Sequence, residues 1–271
     1  MTTPSGSALD AFRLDGRVAL VTGAGKGIGA AIALALADAG ADVAITARTA
    51  SDLDAVAAEI TTRGRRAVTL AGDVNDLDHV ARLVDTTAAQ LGGIDVVVSN
   101  AGAAMSHPFV DTRVEHLERA FHFNVSVAFE LTRLALPHLL RSGAGAVVTI
   151  GSMAGVNAAR GSMAHSLSKA ALLQLTRLMA ADLAPRVRVN AVLPGAVETD
   201  ALRGFADADV RAVMAARTAM RRNGTPQDIA SAVLYLASPA AGWVTGRLLE
   251  VDGLAPPQLV PRELPDLAPE A

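Results

Sequence analysis

Three side chains with reactive atoms, Ser152, His165 and Lys169, fall on one strand-like run and the helix-like stretch after it. Ser152 closes the apolar run 146–150, and Ala, Leu and Met fill 163–183, a pattern that reads as a helix. His165 and Lys169 are four apart, so they share a helix face one turn from each other. If the strand end adjoins the helix start, a hydroxyl, an imidazole and an ammonium face a common space. Such a set can hold an oxygen, move a proton and fix a charge. Taken alone, Ser152 or His165 reads as an ordinary polar residue. Lys169 carries more weight, because the chain has only two lysines, Lys26 and Lys169, against 22 arginines. A lysine inside an apolar helix of an arginine-using chain points to a need for a compact point charge.

The elements that must position these residues alternate between apolar strands and longer helices. Strands are expected at 17–22, 42–47, 66–71, 94–99, 146–150, 187–192 and 248–251. Helices are expected at 27–39, 51–63, 77–91, 114–140, 163–183, 200–220 and 226–237, with Ser51 capping the second and Gly40 and Gly64 ending the first and second. Strands that are apolar on both sides belong to a parallel sheet covered on both faces. The expectation is a single α/β domain, a doubly wound, Rossmann-like parallel sheet of about seven strands. Ligands in such sheets bind at the carboxyl ends of the strands.

Composition narrows the function. The 271 residues contain no linker-like stretch and fit one domain over 14–253, with tails at 1–13 and 254–271. Hydrophobic residues make up 51% and charged residues 19%, enough apolar surface for a large core. A net charge of -3 argues against nucleic acid or an anionic membrane as main partner. The absence of cysteine removes disulfides, thiol nucleophiles and cysteine metal sites. The Ser/Thr/Gly-rich start has no secretory pattern, and the run 28–37 is too short to span a bilayer, so the expected location is cytoplasmic.

The first strand runs into Thr22-Gly23-Ala24-Gly25-Lys26-Gly27-Ile28-Gly29. Glycines let the backbone approach a pyrophosphate, and the helix start beyond offers free N–H groups. The second strand ends at Ala47-Arg48-Thr49, where NAD-binding folds usually place a carboxylate for the adenosine ribose. Two cations, Arg48 and Lys26, without an acid suit a ribose 2′-phosphate, hence NADP(H).

With Asp73-Val74, Asn100-Ala101-Gly102, Asn124, Ser152, Lys169 and Pro194-Gly195 following that loop in order, the chain resembles the short-chain dehydrogenase/reductases from about residue 14 to 253. The segments Ser152-Met153-Ala154 and 194–202 are similar to those of the 7α-hydroxysteroid enzymes. The resemblance implies an alcohol–ketone oxidoreductase. It puts Asp73 and Val74 at the adenine, Asn100, Ala101 and Gly102 at the adenosine ribose, and Lys169 at the nicotinamide ribose. Val197 and Thr199 would contact the carboxamide, Asn124 would anchor a relay water, and Ser152 would bind the substrate oxygen.

One position departs from the family: His165 stands where the acid/base tyrosine belongs. The only tyrosine, Tyr235, lies in a later apolar helix and reads as core. Positive neighbours disfavour imidazolium, so His165 is expected to be neutral near pH 7, able to take a proton from an alcohol but a poor donor to an alkoxide. Its shorter ring also shortens its reach. Three readings stay open: an NADP(H)-dependent oxidoreductase with altered activity, a cofactor-binding protein without turnover, and a non-redox isomerase, lyase or cyclase using His165 as proton shuttle.

Residues 195–225 read as a substrate lid, with an apolar face and five arginines that suit either an acidic apolar substrate or an outer surface. His107 reads as a solvated loop residue or a substrate contact. No histidine spacing suggests a metal. The 163–183 helix is apolar nearly all round, which calls for a partner subunit, a homodimer or homotetramer.

Overall fold

The computed structural model describes residues 7–102, 107–257 and 259. Seven strands among them form one sheet: β1 (Val18–Thr22), β2 (Asp42–Ala47), β3 (Ala67–Ala71), β4 (Val96–Ser99), β5 (Gly145–Ile150), β6 (Val187–Pro194) and β7 (Leu248–Val251). Their order is β3-β2-β1-β4-β5-β6-β7, and every pairing is parallel. The helices between them are α1 (Gly27–Asp38), α2 (Ala50–Thr62), α3 (Leu77–Leu91), α4 (Val114–Phe121), α5 (Val127–Ser142), α6 (Met163–Leu183), α7 (Asp200–Phe205), α8 (Ala208–Arg217) and α9 (Pro226–Ala237). The expected doubly wound α/β domain is what forms.

Alternation along the strands explains the two covered faces. Ala19, Val21, Val96, Val98 and Val148 point to one side, where α1 and α9 pack. Val18, Leu20, Val97 and Val147 point to the other, against α3 and α5. Successive strand side chains face opposite ways, so only a strand apolar at every position can feed both layers. Each fully buried leucine, such as Leu20, Leu36 or Leu83, contributes about 1.5–3 kcal/mol. The central strands are buried throughout, while the edge strands β3 and β7 are only partly so.

Several boundaries differ from expectation for local reasons. α2 starts one residue early, with Thr49 at its N-cap, so Ser51 sits inside the first turn and caps nothing. The expected helix over 114–140 is interrupted by a π turn, His122–Ser126, between α4 and α5. The expected helix over 200–220 divides into α7 and α8. Each has an oxygen-bearing N-cap: Thr199 accepts from Leu202 N, and Asp207 from Val210 N. Near the N-terminus, Ala8–Phe12 forms a 3₁₀ turn capped by Ser7, within the stretch read as a tail. Phe12 reaches the Tyr235 ring at 6.2 Å, and Tyr235 packs on the α1–α9 core as expected. Residues 1–6, 103–106, 258 and 260–271, including most of the C-terminal tail, lie outside the described residues.

Candidate active site

β1 and β4 are neighbours, and the chain leaves them in opposite directions across the sheet; a crevice opens there at the strand ends. A polar clamp closes its floor. Asn100 Nδ2 donates to Thr22 O (2.9 Å) and Gly23 O (3.1 Å), while the Asn100 and Ala101 amides both donate to Thr22 Oγ1 (3.0 Å). Thr22 is fully buried beneath the crevice. Its hydroxyl, which also donates to Val98 O, fixes the glycine loop against β4.

The loop is built for close approach. A Cβ on Gly29 would stand 2.2 Å from Gly23 O, so no other residue fits where the loop turns into α1. The α1 N-cap, Lys26, makes no side-chain cap, leaving the first amides of the helix for an anion. On one side of the loop, Gly23, Gly25, Lys26, Arg48, Asp73, Val74, Asn100, Ala101 and Gly102 line a single cleft. On the other, Gly27, Ile28, Gly29, Pro194, Gly195 and Thr199 line a second cleft together with Ser152, His165 and Lys169. Val197 is buried and pairs as a short bridge with Gly224.

The juxtaposition expected from spacing is therefore present: strand end and helix start adjoin. Ser152 leaves β5 and caps a 3₁₀ turn, its Oγ accepting from Ala154 N at 3.1 Å. Lys169 is 5% exposed, and its Nζ donates to Ile150 O at 2.8 Å. Burial holds its pKa down to about 8. Asn124 occupies the π turn, a local widening of the helix common at functional sites. Its Nδ2 donates to Ala120 O (3.0 Å) and Ser168 Oγ (3.2 Å), while its buried Oδ1 has no partner. Gly102 joins the two: a Cβ there would lie 2.8 Å from Asn124 Oδ1 and 3.0 Å from Lys169 Nζ.

These residues fit a dinucleotide. The glycine cradle, the uncapped helix start and the open Asn124 acceptor beside a buried ammonium are each otherwise costly features.

A family model described as enoyl-(acyl carrier protein) reductase matches residues 23–253. A 7α-hydroxysteroid dehydrogenase of Escherichia coli (strain K12) is 40% identical over 245 residues, covering 90% of this chain and 96% of that protein. The chain belongs to the short-chain dehydrogenase/reductase family. An uncharacterized oxidoreductase of Mycobacterium tuberculosis (strain CDC 1551 / Oshkosh) is 50% identical over 247 residues, or 90% of this chain and 94% of that one. Among solved structures, a 7α-hydroxysteroid dehydrogenase complexed with NADH and 7-oxo glycochenodeoxycholic acid superposes with a TM-score of 0.89. It is 39% identical and covers 93% of this chain and 98% of that one. This short-chain dehydrogenase/reductase is thus an oxidoreductase related to the hydroxysteroid dehydrogenases, and its family and fold imply a nicotinamide cofactor.

Two residues of this short-chain dehydrogenase/reductase escaped the sequence pattern. Asp52, on the first turn of α2, also lines the Arg48 cleft, and its Oδ2 lies 3.2 Å from Lys26 Nζ. The expectation of two cations and no acid is corrected: an acid is present, four residues beyond Arg48. The second is His79 on α3, buried behind Gly72, whose Cβ would fall 2.3 Å from the ring. Its Nε2 lies 2.9 Å from Thr46 Oγ1, which itself donates to Leu70 O, so His79 Nε2 carries the hydrogen. Burial, then the nearby Arg82, lowers the His79 pKa below its ordinary value.

Three arginines of the stretch 195–225 pair with nearby acids. Arg203 pairs with Asp200 (2.8 Å), Arg211 with Glu198 (3.5 Å) and Arg222 with Asp228 (2.7 Å). That favours the outer-surface reading for these three. Met220 N and Ala219 N donate to Gly253 O and Leu254 O, tying the segment after α8 to the chain after β7. His107 stacks on His116 at 4.5 Å, at the mouth of α4. No group of three or more His, Cys, Asp or Glu able to hold a metal occurs among the described residues, and no described helix is long and apolar enough to cross a membrane.

Proposed function

We propose that this protein interconverts a secondary alcohol and a ketone on a moderately apolar small molecule, using NADP(H), with His165 in the acid/base place. The observation that carries this is the single cleft shared by Ser152, His165, Lys169 and the glycine loop. A bound nicotinamide supplies or takes the hydride. Ser152 Oγ holds the substrate oxygen by a hydrogen bond. In the oxidative direction, a neutral His165 ring nitrogen takes the alcohol proton. Lys169 keeps a positive charge beside that oxygen and binds ribose hydroxyls. The open Asn124 Oδ1 is a natural acceptor for a water that passes the proton outward. Arg48 and Lys26 favour the 2′-phosphate form of the cofactor.

The substrate's apolar character is supported by Leu202 and Val210 on the half-buried side of the lid and by the related hydroxysteroid dehydrogenases. A second copy of the chain is the proposed partner. Leu167 and Leu178 of α6 are each 55% exposed, and Phe121 of α4 and Phe129 of α5 are half exposed. An apolar surface of that kind calls for cover.

The test is His165→Tyr, followed by nicotinamide absorbance over panels of secondary alcohols and ketones. A phenol can protonate the developing alkoxide, so ketone reduction should rise by about 10²-fold or more, with cofactor affinity unchanged. Alcohol oxidation should fall if His165 is the working base. A variant that binds cofactor normally yet stays inert toward every ketone would overturn the redox assignment.

A further inference from the structure

The sequence Thr49-Ala50-Ser51-Asp52 has the form of a capping box, in which the fourth residue turns back to the N-cap amide. In this structure the box is not made. Thr49 forms no side-chain cap, and the Asp52 carboxylate reaches across to Lys26 instead, Nζ to Oδ2 3.2 Å. Gly25 permits the crossing, since a Cβ there would lie 3.1 Å from both Ala47 Cβ and Asp52 Cβ. Lys26, Arg48 and Asp52 all line the same cleft, so the acid sits among the groups that face the adenosine end of a dinucleotide. Lys26 is 63% exposed and Asp52 23%, which leaves the lysine free to move and the carboxylate more confined.

We infer that Asp52 is a specificity-determining residue that sets the preference between NADP(H) and NAD(H) by competing for Lys26. The inference rests on the proposed binding of a nicotinamide dinucleotide in this cleft. With a ribose that ends in hydroxyls, the Lys26–Asp52 pair stays closed and costs the ligand nothing. A 2′-phosphate, placed between Lys26 and Arg48, must draw Lys26 away from Asp52. Asp52 then has a second partner available: the Thr49 amide at the start of α2, where a negative charge is favourable. The carboxylate thus lowers NADP(H) affinity selectively, while the capping position limits how much. This accounts for an acid paired with Lys26 in a cleft that Arg48 and Asp73 also line, which the 2′-phosphate alone does not explain.

The experiment measures equilibrium binding of NADP⁺ and NAD⁺ by calorimetry to four proteins: wild type, Asp52→Asn, Lys26→Ala and the double variant. Asp52→Asn should raise the ratio of NADP⁺ to NAD⁺ affinity by about three- to tenfold, the scale of a partly exposed ion pair. That gain should shrink at about 0.5 M salt, where screening is strong. In the Lys26→Ala background the same substitution should move the ratio by less than about twofold, because there is no lysine left to release. A residue that merely braces α2 would shift both cofactors together and in both backgrounds. Equal shifts for NADP⁺ and NAD⁺, or an undiminished effect without Lys26, would overturn the inference while leaving cofactor binding intact. Failure of all four proteins to bind either dinucleotide would overturn the proposed cofactor along with it.

Discussion

Replacing Lys169 by methionine should change how stability depends on pH. Lys169 is buried, and its pKa is held at about 8 against an ordinary 10.5. Below pH 8 the ammonium is charged in both folded and unfolded chains, and the folded state carries the full cost of burying it. Between about 8 and 10.5 the folded protein loses this proton while the unfolded chain keeps it. The unfolded state then binds more protons, so folding stability rises with pH. The shift corresponds to about 3 kcal/mol across the window. Urea midpoints of wild type and Lys169→Met, followed from about pH 7 to 10.5, isolate the contribution. At neutral pH the variant gains the relief of the buried charge but leaves Ile150 O without its donor, a cost of about 1–3 kcal/mol. Its absolute stability is therefore close to that of wild type. The difference between the two curves is the informative quantity. It should move by about 3 kcal/mol in favour of wild type as pH rises. Parallel curves would refute the account of Lys169 as a charge held in a desolvated site.

Other expectations bear on the cofactor and on assembly. NADP⁺ should raise the melting temperature more than NAD⁺ does, and Arg48→Ala should reduce that preference by about tenfold in affinity, the scale of one charge-assisted contact. Equal melting shifts with both cofactors would remove the 2′-phosphate assignment. Light scattering at micromolar concentration should return a dimer or tetramer, and Leu167→Asp together with Leu178→Asp should lower that mass. A wild-type monomer would remove the proposed partner face.

What could be read from the sequence, and what could not, separates along the range of the forces involved. The strands were legible because residues such as Val96 to Val98 and Val147 to Val148 must feed two cores, and only unbroken apolar runs do so. The meeting of Ser152 with His165 and Lys169 was legible because strand ends and the i, i+4 repeat are regular. The π turn at His122–Ser126 was not: no residue in the run departs from helix-forming types, so nothing local marked Asn124 as the point where the helix widens. Nor was the choice of Asp52 between Thr49 and Lys26. That is decided by how loop and helix meet in space, with Gly25 giving way between them. The fixing of the loop by Thr22 was not legible either: its hydroxyl accepts from the Asn100 and Ala101 amides and donates to Val98 O, partners that only the fold brings to it.

The scarcity of lysine and its distribution make the protein a selective target for amine-reactive chemistry. Lys169 is sealed from reagents and donates to Ile150 O, whereas Lys26 projects 63% exposed from the glycine loop. Apart from the terminal amine, an acylating label thus has one accessible side chain, and that side chain lines the cleft shared with Arg48 and Asp52. Protection of Lys26 from acylation reads out occupancy of the cleft directly, without turnover and without a known substrate. Mass spectrometry of the single labelled peptide can accordingly rank dinucleotides, fragments and inhibitors on the unmodified sequence, with no engineered reporter.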